Sequence, residues 1–174
     1  ADKGVEKEVE HFNTGKLTLG SFELETIHVT HSIPDTRHIV IRTPEGIFYH
    51  GSDFKLDLTP IDGIPTDLQA IAKIGKEGVL CATLDCLRIE RPFPTPSEAV
   101  IAPALRREFH GVRGKVFVTL MSSNIHRIQQ TIDVAAEYGR KVTFIGRSIE
   151  QNVNTCMNMG LLHFPPNTKL NKRN

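Results

Sequence analysis

His31 and Asp53 are the side chains of this sequence best placed for inorganic chemistry. Each follows an apolar run, His31 within His31-Ser32-Ile33-Pro34-Asp35 and Asp53 within Gly51-Ser52-Asp53-Phe54-Lys55. An imidazole and a carboxylate at such positions can grip a hard or borderline metal ion. Two ligands make half a site, because a zinc centre takes about three protein groups and a two-metal centre takes more. Ordinary hydrogen bonding of His31 is therefore the competing reading. His28, three residues earlier, points to a different face of an extended chain and does not chelate with His31. Asp53 and Asp57 bracket Phe54-Lys55, and for that pair a surface salt bridge is the default expectation.

A second chemistry is available where Ser122-Ser123-Asn124 meets His126 and Arg127. The N–H groups and positive dipole end of a helix start suit a phosphate, and the imidazole and guanidinium add cationic reach. The same three residues also cap helices for purely structural reasons, so cap and anion site stand as alternatives. Asp53, Asp85, Ser122-Ser123-Asn124 and Arg147-Ser148 all fall just past strand-like runs. In α/β sheets the carboxyl edge of the strands is where ligands bind.

These groups need elements to position them. Period-two alternation over 17–29 predicts a hairpin broken at Gly20-Ser21, and 38–42 with 47–50 around Thr43-Pro44-Glu45-Gly46 predicts a second. Pro60, Gly63 and Pro65 mark a loop, after which Thr66 or Asp67 caps a helix running to about residue 74. The run 79–84 predicts a short buried strand ending at Asp85. Pro92, Pro94 and Pro96 mark a linker and a domain boundary. Beyond it the pattern predicts a helix over 99–109 and an apolar strand over 115–120. A helix with the stripe Ile125, Ile128, Ile132 and Ala135 follows, stopping at Gly139. A strand over 141–145 and a helix over about 149–159 complete a parallel α/β unit.

Composition narrows the partners. The 174 residues carry 21 basic and 20 acidic side chains, so no global field draws the chain to nucleic acid or to an anionic membrane, and any polyanion must be held locally. Cys81, Cys86 and Cys156 form no C-x-x-C pair, which argues against a disulfide framework and for a reducing, cytoplasmic setting. No apolar run approaches membrane-spanning length, and residues 1–8 show no signal-peptide core.

His31-Ser32-Ile33-Pro34-Asp35, Thr43-Pro44-Glu45-Gly46 and Asp53-Phe54-Lys55 with Asp57 and Thr59-Pro60 resemble, in order, the latter half of a ribonuclease J-type metallo-β-lactamase domain. The series continues through Glu90-Arg91-Pro92, Thr95-Pro96-Ser97-Glu98, Ser123-Asn124-Ile125-His126-Arg127-Ile128-Gln129-Gln130 and Gly146-Arg147-Ser148. These resemble the start of that family's inserted β-CASP domain. The resemblance covers roughly residues 17 to 162.

It implies an α/β fold, with 1–90 as the latter part of a metallo-β-lactamase-like αββα domain and 91–174 as the first part of a parallel, Rossmann-like β-CASP domain. It implies a segment of a zinc-dependent enzyme that degrades or processes RNA, a 5′-to-3′ exoribonuclease with endoribonuclease action as a second mode, hydrolysing phosphodiester bonds at a two-metal site. His31 takes the place of the third metal-binding motif and Asp53 that of the fourth, which bridges two zinc ions. Asp85 takes the place of the acidic residue of the first β-CASP motif, so His31, Asp53 and Asp85 are the implied catalytic set. Ser123, Asn124, His126 and Arg127 fall on the RNA side. RNA is the implied partner, in a homodimer or higher oligomer without a membrane.

The sequence departs from the family where it has Gly51-Ser52-Asp53 for Thr-Gly-Asp and Leu84-Asp85-Cys86-Leu87-Arg88 for Ser-Asp-Ser-Thr-Asn, which puts local nucleotide contacts in question while keeping both aspartates. It also contains no His-x-His-x-Asp-His cluster. The expectation is therefore a piece of a longer or split enzyme, inactive alone and with sheet edges left uncovered. The alternative is a non-catalytic RNA-binding or assembly module that has lost the metal site. A small-molecule metallo-hydrolase is disfavoured by the match over residues 123–130.

Overall fold

Residues 15–170 are described by a computed structural model. The charged run before Gly15 and the end of the basic tail, 171–174, lie outside the described residues. The chain divides into two units: the described residues up to His28 with 37–53 and 67–86, and 29–36 with 54–66 and the chain from Leu87 onward. Among the described residues the content is α/β, a five-stranded mixed sheet and four α-helices.

The first unit holds the sheet. β1 (Lys16–Leu19) and β2 (Phe22–His28) form the predicted hairpin, Leu19 pairing with Phe22. Gly20, at φ 60, supplies the left-handed backbone that a two-residue hairpin turn requires. β3 (Arg37–Thr43) and β4 (Gly46–His50) form the second hairpin, in which Thr43 Oγ1 accepts the amides of Glu45 and Gly46, both at 3.2 Å. α1 (Leu68–Glu77) starts at Asp67, whose carboxylate accepts the Ala70 amide at 2.9 Å, and runs on beyond residue 74 to stop at Gly78. Its Ala70, Ile71 and Ile74 pack on Ile27, Val40, Ile47 and Tyr49. Arg42 ties strands to helix, reaching Glu25 at 2.6 Å, Glu77 at 2.8 Å and Glu23 at 3.2 Å.

β5 (Cys81–Thr83) pairs parallel with β4, with α1 in the connection between them. The apolar run around it predicts a buried strand, but β5 is exposed throughout. It is the edge of the sheet, with β4 as its one strand neighbour, so its side chains lack a second wall.

The second unit is helical. A 3-10 turn (Glu98–Val100) leads into α2 (Ile101–Phe109), followed by α3 (Ile125–Glu137) and α4 (Arg147–Asn158). The predicted stripe of α3 holds: Ile125, Ile128 and Ile132 pack with Val153, Cys156 and Leu162, while Val134 and Ala135 pack with Phe109. α3 ends at Tyr138 and Gly139, the latter at φ 63.

Two strand expectations fail here. Residues 115–120 join no ladder, and 141–145 contribute a single parallel bridge, Val142 to Lys169. Phe117 and Ile145 are 79% and 80% exposed. An apolar run becomes a strand when another backbone lies alongside to take its N–H and C=O groups, and among the described residues none pairs with 115–120. Among the described residues of this unit, the expected helix–strand alternation forms helices without a parallel sheet.

Candidate functional site

Asp53 and Asp85 belong to the first unit, each just past a strand, and those strands, β4 and β5, are parallel neighbours. Both aspartates thus emerge at the same sheet edge, the one that α/β proteins use for ligands. Asp53 is exposed and Asp85 half-buried. The backbone beneath Asp53 is pinned: the Gly51 amide donates to Thr83 O at 2.7 Å and Ser52 Oγ donates to Arg37 O at 3.0 Å. Below them, His38 Nδ1 meets the Tyr49 hydroxyl at 2.7 Å. Burial, followed by the nearby His50, pushes the His38 imidazole below its usual range against an opposing Ser52 backbone contact, and burial pushes the Tyr49 phenol up.

Gly51 is required by this close approach. A Cβ there would stand 2.5 Å from Leu84 Cδ2 and 3.0 Å from Thr83 O. The leucine tip can swing away, whereas the carbonyl belongs to the sheet. Gly51→Ala is therefore expected to destabilise the chain by about 1–2 kcal/mol through overpacking. Denaturant unfolding checks this, and a variant as stable as the parent would show that β5 yields without cost.

His31, Ser123, Asn124, His126 and Arg127 all belong to the second unit. The His126 amide donates to Ser32 O at 3.4 Å, bringing the His31 loop against the first turn of α3. Asn124 is the N-cap, its side chain accepting the Arg127 amide at 3.0 Å. The Ile125 amide goes to Ser123 O at 3.0 Å and the Ile128 amide to Asn124 O at 3.0 Å. The amides of this helix start are thus engaged within the chain, which favours the capping role of Asn124 and leaves anion contact to side chains. The His126 ring lies 3.6 Å from Asp62. Burial, the leading influence, holds its pKa below the usual imidazole range; Asp62 and Glu98 oppose that and His31 adds to it.

Arg127 is paired face to face with Glu98, Nη2 to Oε1 at 2.5 Å and Nε to Oε2 at 3.2 Å. Lys55 Nζ stands 3.9 Å from both Glu98 and Asp57. Asp57 is where expectation and structure part most clearly. The salt bridge expected there is present with Lys55, but it is not at the surface: the carboxylate is buried, 6% exposed, and also accepts from Ser97 Oγ and the Glu98 amide at 2.9 Å and from the Thr59 amide at 3.0 Å. Burial alone would raise its pKa; the Glu98, Ser97 and Thr59 hydrogen bonds, with Lys55, outweigh that and hold it below the usual carboxylate range. Spacing did not mark Asp57, Asp62, Thr30 or Thr66 as members of this cluster. The pointers are in the resemblance series, where Asp57 with Thr59-Pro60 and Thr95-Pro96-Ser97-Glu98 carry the carboxylate and its partners.

The implied site residues therefore fall in two groups, Asp53 with Asp85 in one unit and His31 with the start of α3 in the other. Among the described residues no three His, Cys, Asp or Glu side chains stand together so as to hold a metal ion. The residues present do not fit a complete metal centre. Among the described residues no helix is long and apolar enough to cross a membrane.

Residues 113–174 match the family model described as Ribonuclease J, beta-CASP domain. Ribonuclease J of Helicobacter pylori strain J99 is 41% identical over 149 residues, 86% of this chain and 22% of that protein. Ribonuclease J of Thermus thermophilus is 48% identical over 141 residues, 81% of this chain and 25% of that protein. The chain spans about a quarter of the length of these curated relatives. In fold alone it is similar to the crystal structure of a protein of unknown function from Enterococcus faecalis V583, with a TM-score of 0.53, 17% identity, and coverage of 72% of this chain and 30% of that one.

Proposed function

Because most of this chain is ribonuclease J family sequence, we propose that it is part of a hydrolase that cleaves RNA phosphodiester bonds, from the 5′ end and internally. In this reading residues 1–90 are the latter part of a metallo-β-lactamase-like domain and 91–174 the first part of a β-CASP domain. The observation that carries it is the seating of the His31 loop against the start of α3, through the Ser32 carbonyl and the His126 amide. One implied catalytic residue and four implied RNA-contacting ones thereby share a locale. His126 and Arg127 bring imidazole and guanidinium groups to a phosphate backbone, with Ser123 and Asn124 beside them at the positive end of the helix. Asp53 and Asp85 supply carboxylates for positioning and proton transfer.

Zinc as a cofactor belongs to the same proposal, with His31 and Asp53 as the ligands that the family resemblance implies. RNA as partner, assembly into dimers or larger oligomers, and a cytoplasmic setting complete it.

The isolated chain is expected to bind 5′-monophosphorylated single-stranded RNA weakly, with affinity falling as salt rises, and not to hydrolyse it with added zinc. Fluorescence anisotropy at two salt concentrations and a gel assay of RNA length read the two halves. Absence of binding at either salt would overturn the RNA reading, and robust zinc-dependent hydrolysis would overturn the incompleteness. Salt-sensitive binding that persists in a full-length polypeptide without turnover would point instead to an RNA-binding module.

A further inference from the structure

We propose that Thr30 is a positioning residue for His31, a latch that sets where the imidazole stands, an inference that rests on the reading of His31 as a site residue. Every polar atom of Thr30 is engaged. Its amide donates to Thr66 Oγ1 at 2.9 Å and its carbonyl accepts the Lys55 amide at 2.7 Å. Its hydroxyl donates to the Lys55 carbonyl and accepts the Asp57 amide at 3.1 Å. The Thr66 hydroxyl lies 3.1 Å from the Thr30 hydroxyl, and since the single Thr30 hydroxyl proton goes to Lys55, Thr66 is the donor of that pair.

Thr30 is 6% exposed and Thr66 8%, so these bonds form away from water, where loss of one partner leaves the others unsatisfied. One residue further on is His31, and beyond it the Ser32 carbonyl takes the His126 amide. The Val29 amide closes the loop on Thr36 O at 3.0 Å. His31 is thus held on both sides, by the Thr30 latch and by the first turn of α3. Asp57 carries the latch onward, because the residue whose amide meets Thr30 also anchors Ser97 and Glu98 through its carboxylate. The hydroxyl is what position 30 requires: valine has the shape without the bonds, and serine keeps the hydroxyl.

Thr30→Val and Thr30→Ser, made in this chain, test the latch by NMR of histidine ring C–H signals, with His110 at the end of α2 as a control in the same unit. Thr30→Val is expected to shift or broaden the His31 and His126 signals while His110 stays in place, and to speed exchange of the Asp57 amide about tenfold. Thr30→Ser is expected to restore the His31 signal. Unmoved His31 and His126 signals in Thr30→Val, or a serine variant as displaced as the valine one, overturn the proposal. Should Thr30→Val unfold the unit, Thr66→Val, which removes the contacts to the Thr30 amide and hydroxyl, gives the decision: a displaced His31 supports it and an undisplaced one overturns it. Should Thr66→Val unfold the unit as well, Thr30→Ser alone decides, a retained His31 signal supporting the latch and a displaced one overturning it. The readout needs no RNA, so failure of the latch and failure of the ribonuclease reading are separate results.

Discussion

Asp53→Ala, made in a polypeptide spanning the full length of the ribonuclease J relatives, is expected to lower RNA turnover about 100-fold or more while leaving the melting temperature almost unchanged. The two halves of that expectation come from the same feature. Asp53 is exposed just past β4, on backbone held by the Gly51 and Ser52 hydrogen bonds. Removing the carboxylate leaves those bonds in place. Turnover of 5′-monophosphorylated RNA and a thermal melt check it together. Near-normal turnover would reject a catalytic role, and a collapse in stability would mean that the carboxylate is structural.

Four residues on, the opposite outcome is expected. Asp57→Ala should destabilise the second unit by about 3 kcal/mol, because it strands the Glu98 and Thr59 amides and leaves Lys55 with Glu98, while the Ser97 hydroxyl keeps the Thr59 carbonyl at 2.9 Å. Asp57→Asn should be milder, since one oxygen remains to accept while an NH2 group faces a donor. The pH dependence follows from the depressed pKa of Asp57. A carboxyl group that ionises more readily folded than unfolded stabilises the fold above its unfolded value, about 3.9 for aspartate, and that contribution fades as pH falls through the lower folded value. Urea unfolding should therefore show a wide gap between parent and Asp57→Asn at neutral pH that narrows progressively below about pH 4. A constant gap across that range would mean that the charge of Asp57 contributes nothing.

What the sequence revealed and what it hid divide along the range of the interactions. The hairpin at Gly20-Ser21, the turn at 43–46, the Asp67 cap and the α3 stripe ending at Gly139 each arise within a few residues, and each was legible. Asp57 was not, since its partners Ser97 and Glu98 lie 40 and 41 residues away and no local pattern announces them. β5 and residues 115–120 mislead for a related reason: apolar runs of strand type record a preference, and a strand also needs a neighbour on each side to be buried. The family resemblance groups His31 with Asp53 as metal ligands and sets the α3 start on the RNA side, whereas the structure describes His31 with the α3 start in one unit and Asp53 with Asp85 in the other.

The span between Asp57 and Glu98 also orders events on the ribosome. The carboxylate is synthesised 41 residues before the amide that it binds. At about 5–20 residues per second, roughly 2–8 seconds pass in which the His31 segment has been made and its anchor is unfinished. A nascent chain paused in that window would present a loose loop to proteases or chaperones, and synthesis of Glu98 marks the earliest moment at which it can close.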